Sequence, residues 1–208
     1  VNLPSPESKR EVRLVNRPGA IQSSIYMGLP TVSPTHDNWL ELNITNFLLG
    51  GMFASRITSN IREDKGYTYS PRSSVSVRKG DAYWAQTADV TTEVTGAALK
   101  EIFFEIDRLQ NEPPATEELQ GVQNYAAGRF VLQNSSRGGI IGMLAYLDLH
   151  GLPISYLENY TENVMKVTPE DVQAAAEKYI RDQQMTIVVV GDSKSISKEL
   201  EEFGTVVE

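Results

Sequence analysis

Arg62 stands four residues before a glycine and seven before Tyr69, in the stretch 48–70 that reads LLGGMFASRITSNIREDKGYTYS. The spacing of Ile57 and Ile61 predicts a short helix that runs through Arg62-Glu63-Asp64-Lys65 and stops at Gly66. Glycine suits that stop, because it takes the left-handed conformation of a helix C′ position without steric cost. A strand is then expected to open with Tyr67-Thr68-Tyr69. Helix end and strand start would share a corner that holds a guanidinium and a phenol. Both are hydrogen-bond donors, the first permanently charged and fork-shaped, the second able to donate to an oxygen that gains negative charge. The same residues also fit structural roles. A cation at a helix C-terminus is favourable in itself, and Tyr69 suits an ordinary strand. Tyr67 falls on the same strand face as Tyr69 and is a second candidate for any role given to a tyrosine.

Other reactive constellations are missing. The two histidines, His36 and His150, are far apart in sequence and lack ligand-like neighbours, whereas a catalytic zinc takes about three protein ligands and a water. Both suit surface or turn positions. No Gly-x-Ser-x-Gly elbow occurs for a serine nucleophile. Val190-Gly191-Asp192 lacks the glycine pattern of a nucleotide-binding turn, and the glycine-rich residues 137–142 lack the Lys-Ser/Thr of a phosphate loop. The latter read as a helix break or turn. No metal ligand and no cofactor-binding residue is assigned to this chain, which looks catalytically incomplete alone.

A chain of 208 residues is long enough for one well-buried core and short for two. Its 40% apolar and 22% charged content is ordinary for a soluble globular domain. The net charge of −8 argues against nucleic acid as a partner, since phosphate binding needs a basic face. The absence of cysteine excludes disulfides and thiolate metal sites. It leaves the compartment open between a bacterial periplasm or cell envelope and the cytoplasm. No stretch reaches the roughly 18 apolar residues of a membrane span, and the N-terminus has no apolar signal core. Residues 1–10 read as a Pro/Ser linker from an upstream domain, leaving 11–208 as a single domain.

The elements that must position the corner can be read from periodicity. Strands are expected at 11–16 and 20–29, antiparallel to each other across the Pro18-Gly19 turn. A helix should start at Ser33-Pro34 and carry Trp39, Leu42, Phe47 and Leu49, with Gly50-Gly51 allowing a tight break and close packing. Strands at 67–78 and 81–90 should form a hairpin at Lys79-Gly80-Asp81. Helices follow at 92–109, from Thr116-Glu117-Glu118 through Phe130, and at 140–149. Thr168-Pro169-Glu170-Asp171 has the form of a capping box with Pro at N1. The β-branched run Ile187-Val188-Val189-Val190 predicts a buried strand, and a last helix carries Ile196, Leu200 and Phe203 before a short terminal strand. Strands first, helices next and one late strand define an α+β domain, a largely antiparallel sheet with helices packed on one face. Of Tyr83 and Trp84, whichever faces the core is structural; Arg56 is expected to support the helix or a surface pair rather than bind a ligand.

Leu49-Gly50-Gly51, Ser55-Arg56-Ile57, Ile61-Arg62-Glu63 and Gly66-Tyr67-Thr68-Tyr69 resemble the second-half domain of the pitrilysin-like zinc peptidases. That family includes insulin-degrading enzyme and the mitochondrial processing peptidases. Gly19-Ala20, the Thr168–Val172 cap and Val189-Val190-Gly191-Asp192 fall in the expected order, so nearly the whole chain after the linker is covered. One departure is Tyr67, where the family usually has Leu.

The resemblance implies the LuxS/MPP-like metallohydrolase fold and two homologous halves around an enclosed chamber. The first half carries an inverted His-x-x-Glu-His zinc helix, which this chain lacks. The chain is therefore expected to be the zinc-free second half or a separate zinc-free subunit, inactive alone, with zinc in the partner domain. Its implied partners are that zinc-bearing half and a peptide substrate; a homo-oligomer is left open. In the family an arginine and a tyrosine of the second half reach across to the scissile peptide, and Arg62 and Tyr69 hold the matching positions. The sheet edge is a place where an extended peptide could add as a strand. A different implied role is a non-catalytic scaffold that uses the same fold only to bind partner subunits.

Overall fold

The computed structural model describes residues 9–207, so most of the expected linker lies outside them. In chain order the elements are β1 (Glu11–Asn16), β2 (Gln22–Thr31), α1 (Trp39–Asn46), α2 (Arg56–Thr58), β3 (Arg72–Arg78), β4 (Asp81–Thr91), α3 (Thr95–Asn111), α4 (Thr116–Gln133), α5 (Arg137–His150), α6 (Ser155–Glu158), α7 (Tyr160–Lys166), α8 (Pro169–Tyr179), β5 (Thr186–Gly191), α9 (Ser193–Leu200) and β6 (Thr205–Val207). Two of the helices widen at their C-terminal ends. α1 continues as a π-helical turn over Phe47–Gly51, and α2 as another over Ser59–Asp64. No helix among the described residues is long and apolar enough to cross a membrane.

The strands form one sheet in the order β3-β4-β2-β5-β1-β6. Pairing is antiparallel from β3 to β5 and parallel for β5 with β1 and β1 with β6. The inward face carries Val12, Leu14, Ile25, Met27, Leu29, Trp84, Ala88, Val90, Ile187 and Val189, all buried against the helices. The opposite face is polar or partly open, with Ser24, Tyr26 and Asp89 showing the period-two alternation of a sheet covered on one side.

β1 and β2 are not neighbours, contrary to expectation, because β5 lies between them. The turn at Gly19, whose φ is 72°, climbs over the end of β5 instead of closing a hairpin. Arg17 N–H donates to Gly191 O at 2.7 Å, and Gly19 N–H to Asp192 Oδ2 at 3.1 Å. The uninterrupted β-branched run of β5 explains the insertion, since such a strand gains most where it is paired on both sides.

Other boundaries move for local reasons. α1 begins at Trp39, because the residues after Pro34 form turns in which His36 Nδ1 accepts the Asn38 N–H at 3.0 Å. Thr92–Val94 is a 3₁₀ turn ahead of α3. Ala115, not Thr116, occupies the N-cap of α4. The glycine-rich residues after Ser136 make the first turns of α5, with Ser136 Oγ accepting the Gly139 N–H. The capping box at Thr168 and Asp171 and the hairpin at Gly80, with φ 77°, form as their residues dictate.

Asn46, at the end of α1, lies in the core, where its Oδ1 accepts from Ser73 Oγ at 2.8 Å and from Trp84 Nε1 at 2.9 Å. Gly50 and Gly51 follow in the π turn. A Cβ on Gly50 would come within 2.7 Å of Gln86 Oε1 and Ser73 Oγ, and one on Gly51 within 2.6 Å of Asn46 Nδ2. Removing the Asn46 acceptor strands the buried Trp84 N–H and leaves Ser73 Oγ only its longer bond to Asn46 O at 3.4 Å, a loss of about 2 kcal/mol. Asn46→Ala is therefore expected to lower the urea midpoint by that much at unchanged m. Asn43→Ala, which loses only a bond to Trp39 O, should cost less than about 1 kcal/mol.

Candidate functional site

The helix that carries Arg62 is held at three points. Arg56, nearly buried, donates through Nε and Nη2 to Glu118 at 2.8 and 2.7 Å, a bidentate pair that ties α2 to the first turn of α4. The Glu118 carboxylate raises the Arg56 pKa further, against the opposing effect of burial. Asn60 Nδ2 bridges Glu101 and Glu105 of α3 at 3.0 and 2.9 Å. Lys65 Nζ reaches Glu101 at 3.2 Å.

The π turn then closes on Gly66, whose φ is 67°. Lys65 N–H bonds to Asn60 O at 3.0 Å, Gly66 N–H to Arg62 O at 3.2 Å and Tyr67 N–H to Ile61 O at 2.8 Å. The last two span one residue more than in the usual left-handed cap, as a widened turn requires. The Arg62 backbone is thereby fixed on both sides.

After Gly66 the chain does not enter a strand. Thr68 forms one isolated bridge with Val90, and the ladder of β3 starts only at Arg72. Pro71 has no N–H to give to a ladder, which accounts for the delay. Without strand alternation the two tyrosines part. Tyr67 packs against the core, whereas Tyr69 is 81% exposed.

The Arg62 guanidinium lies over the Phe53 ring, 4.5 Å from its centroid, and over the Tyr69 ring at 4.9 Å. Cation–π contact with two rings holds a long flexible side chain in one place. Its Nε also meets Glu63 at 3.1 Å, which leaves the outer nitrogens of the fork free of that pair. Arg62 and Tyr69 thus share the wall of one open cleft of about 370 Å³, with Gly50, Gly51, Arg72, Tyr125 and Arg129.

A second cavity, of about 310 Å³, adjoins it across Arg129 and is lined by Trp39, Phe130, Tyr146, Tyr156 and Tyr160. Burial pushes the Tyr160 phenol up to about 12 and raises Tyr146 and Tyr156 too, so all three stay neutral donors at ordinary pH. These aromatics and Arg129 escape sequence reading. They come from separated helices, and only their helical spacing, not their convergence, is written locally. His36 stands in a turn with its ring edge-on to Tyr179, and His150 ends α5 beside Tyr146. Among the described residues no three His, Cys, Asp or Glu side chains are placed to hold a metal ion.

A largely antiparallel six-stranded sheet backed by helices on one face is the fold of solved peptidase M16 inactive domains. The peptidase M16 inactive domain model matches residues 2–125, more than half of the chain, and the chain belongs to this family. An uncharacterized zinc protease of Streptomyces coelicolor is 22% identical over 191 residues, covering 89% of this chain and 41% of that protein. A peptidase M16 inactive domain from Pseudomonas fluorescens superposes with a TM-score of 0.82 at 24% identity, over 91% of this chain and 46% of the other. A protease from Helicobacter pylori gives 0.81 at 18%, over 88% and 45%. The chain thus spans less than half the length of these relatives.

The Arg56–Glu118 pair is the anchor of this site that a single change can release. Glu118→Gln keeps the shape and removes the charge, and should lower stability by about 1–2 kcal/mol, allowing for the partial exposure of Glu118. Amide exchange should quicken over residues 56–64 while the β2 and β5 amides keep their protection.

Proposed function

We propose that this chain is the zinc-free half of a pitrilysin-type zinc peptidase, closing a chamber against a zinc-bearing half and holding the substrate peptide near the scissile bond. The observation that carries the reading is the Arg62 guanidinium seated between the Phe53 and Tyr69 rings, beside an exposed phenol, in an open cleft. Family membership supports it.

In this reading Arg62 binds a substrate backbone carbonyl with its charged fork. Tyr69 O–H donates to the carbonyl oxygen as it becomes negative, a well-aimed donor contributing on the order of 3 kcal/mol to lowering the barrier. Zinc in the partner half would supply Lewis-acid polarisation and an activated water. The residues of this chain bind, orient and stabilise. β3, an outer strand of the sheet whose first residue lines the cleft, gives an extended peptide a direction to follow.

The test is reconstitution with the zinc-bearing half. The chain alone should cleave nothing, and the pair should cleave peptides. Arg62→Ala and Tyr69→Phe should each lower kcat by about 100-fold with unchanged urea midpoints. Full turnover in both variants would defeat the assignment. Tight assembly with no proteolysis would favour the scaffold role instead.

A further inference from the structure

The chain carries 27 acidic residues against 19 lysines and arginines, so an average patch of its surface is acidic. The cleft beside Tyr69 reverses that balance. Three guanidiniums line it, those of Arg62, Arg72 and Arg129, and no carboxylate does. They arrive from three elements: the π turn after α2, the first residue of β3, and α4. Arg62 has Glu63 as a partner, but Arg72 and Arg129 form no ion pair among the described residues.

Like charges converging without counter-charge repel one another, and carboxylates are plentiful elsewhere on this chain to relieve them. The Arg129 guanidinium is also held over the Phe47 ring at 5.5 Å, with Tyr125 packed edge-on to Phe47. One fork is thus positioned and its charge left open. The ligand chemistry that completes the set is planar and anionic, which a carboxylate matches in bidentate fashion.

We infer that Arg72 and Arg129 form a carboxylate-binding subsite, selecting peptides that carry an acidic group next to the bond held by Arg62 and Tyr69. Its place beside the scissile bond rests on the proposed function; its affinity for a carboxylate does not. The group is an Asp or Glu side chain, or the free C-terminus of a short peptide.

The reconstituted two-half enzyme tests this with matched peptides. One pair differs only by Glu against Gln at a single position, both amidated; a second differs only by a free against an amidated C-terminus. The acidic member of at least one pair should show about tenfold higher kcat/KM, mostly through KM, and which pair responds identifies the source. The ratio should shrink as ionic strength rises. It should fall in Arg72→Gln and in Arg129→Gln and approach one in the double variant. Arg13→Gln removes the same charge from β1, paired with Glu11 and away from the cleft, and should leave it intact.

Ratios near one for both pairs, or a ratio that survives the double variant, overturn the subsite. Anisotropy of the same labelled peptides on this chain alone separates the two readings. Acid-dependent binding that disappears in the double variant, together with full turnover in Arg62→Ala and Tyr69→Phe, keeps the subsite and removes the proposed function. Turnover lost in those two variants with no acid preference does the reverse.

Discussion

Asn46 Oδ1 accepts two hydrogen bonds inside the core, one from β3 through Ser73 and one from β4 through Trp84. Trp84 is fully buried, so its N–H has no water to turn to. The end of α1 therefore cannot slide along the sheet without stranding these donors. That single constraint sets the π turn down on β3 and β4, where the missing Cβ atoms of Gly50 and Gly51 leave room for Ser73, Gln86 and the Asn46 amide. The floor of the cleft and the start of β3 are thus fixed relative to each other by one carboxamide and two glycines.

The opposite wall is fixed by charge rather than by packing. Arg56 on Glu118, Asn60 on Glu101 and Glu105, and Lys65 on Glu101 bind α2 and its π extension to α4 and α3. The acidic residues near the site are spent on this frame. The arginines that face the cleft keep donors to give. A frame that is rigid before a ligand arrives avoids the reorganisation that a flexible arginine would need.

Much of this architecture was legible in the sequence because its signals are local. Gly66 and Gly80 mark positions where only a left-handed residue closes the turn, and Thr168 with Asp171 writes its own cap. The β-branched run of β5 declared burial. What stayed hidden depends on partners remote in the chain. The insertion of β5 between β1 and β2 is decided by sheet pairing across more than half the sequence. Asn46 reads as one polar residue beside an apolar stripe, although an amide there is itself a hint of a buried acceptor. Pro71 was the overlooked local signal. It stops the ladder short of Tyr69, so that Tyr67 and Tyr69 do not share one strand face but are a core residue and a surface one. Of the candidate site, Arg62 and Tyr69 stood out in the sequence through their motif, whereas Arg72 and Arg129 meet the cleft only in three dimensions.

The widened turn over Ser59–Asp64 makes this region sensitive to chain length more than to side-chain identity. A π turn holds one more residue than the α-helix it interrupts. Deleting one residue there would let the helix close to regular geometry with the flanking chain kept in register, whereas inserting one more would turn everything beyond it by about 100° about the axis. The guanidinium would then leave the two aromatic rings that now hold it, and Ile61, buried in the same turn, would leave the core with it. A one-residue insertion, rather than a point substitution, is the change by which this domain would lose the edge of its cleft.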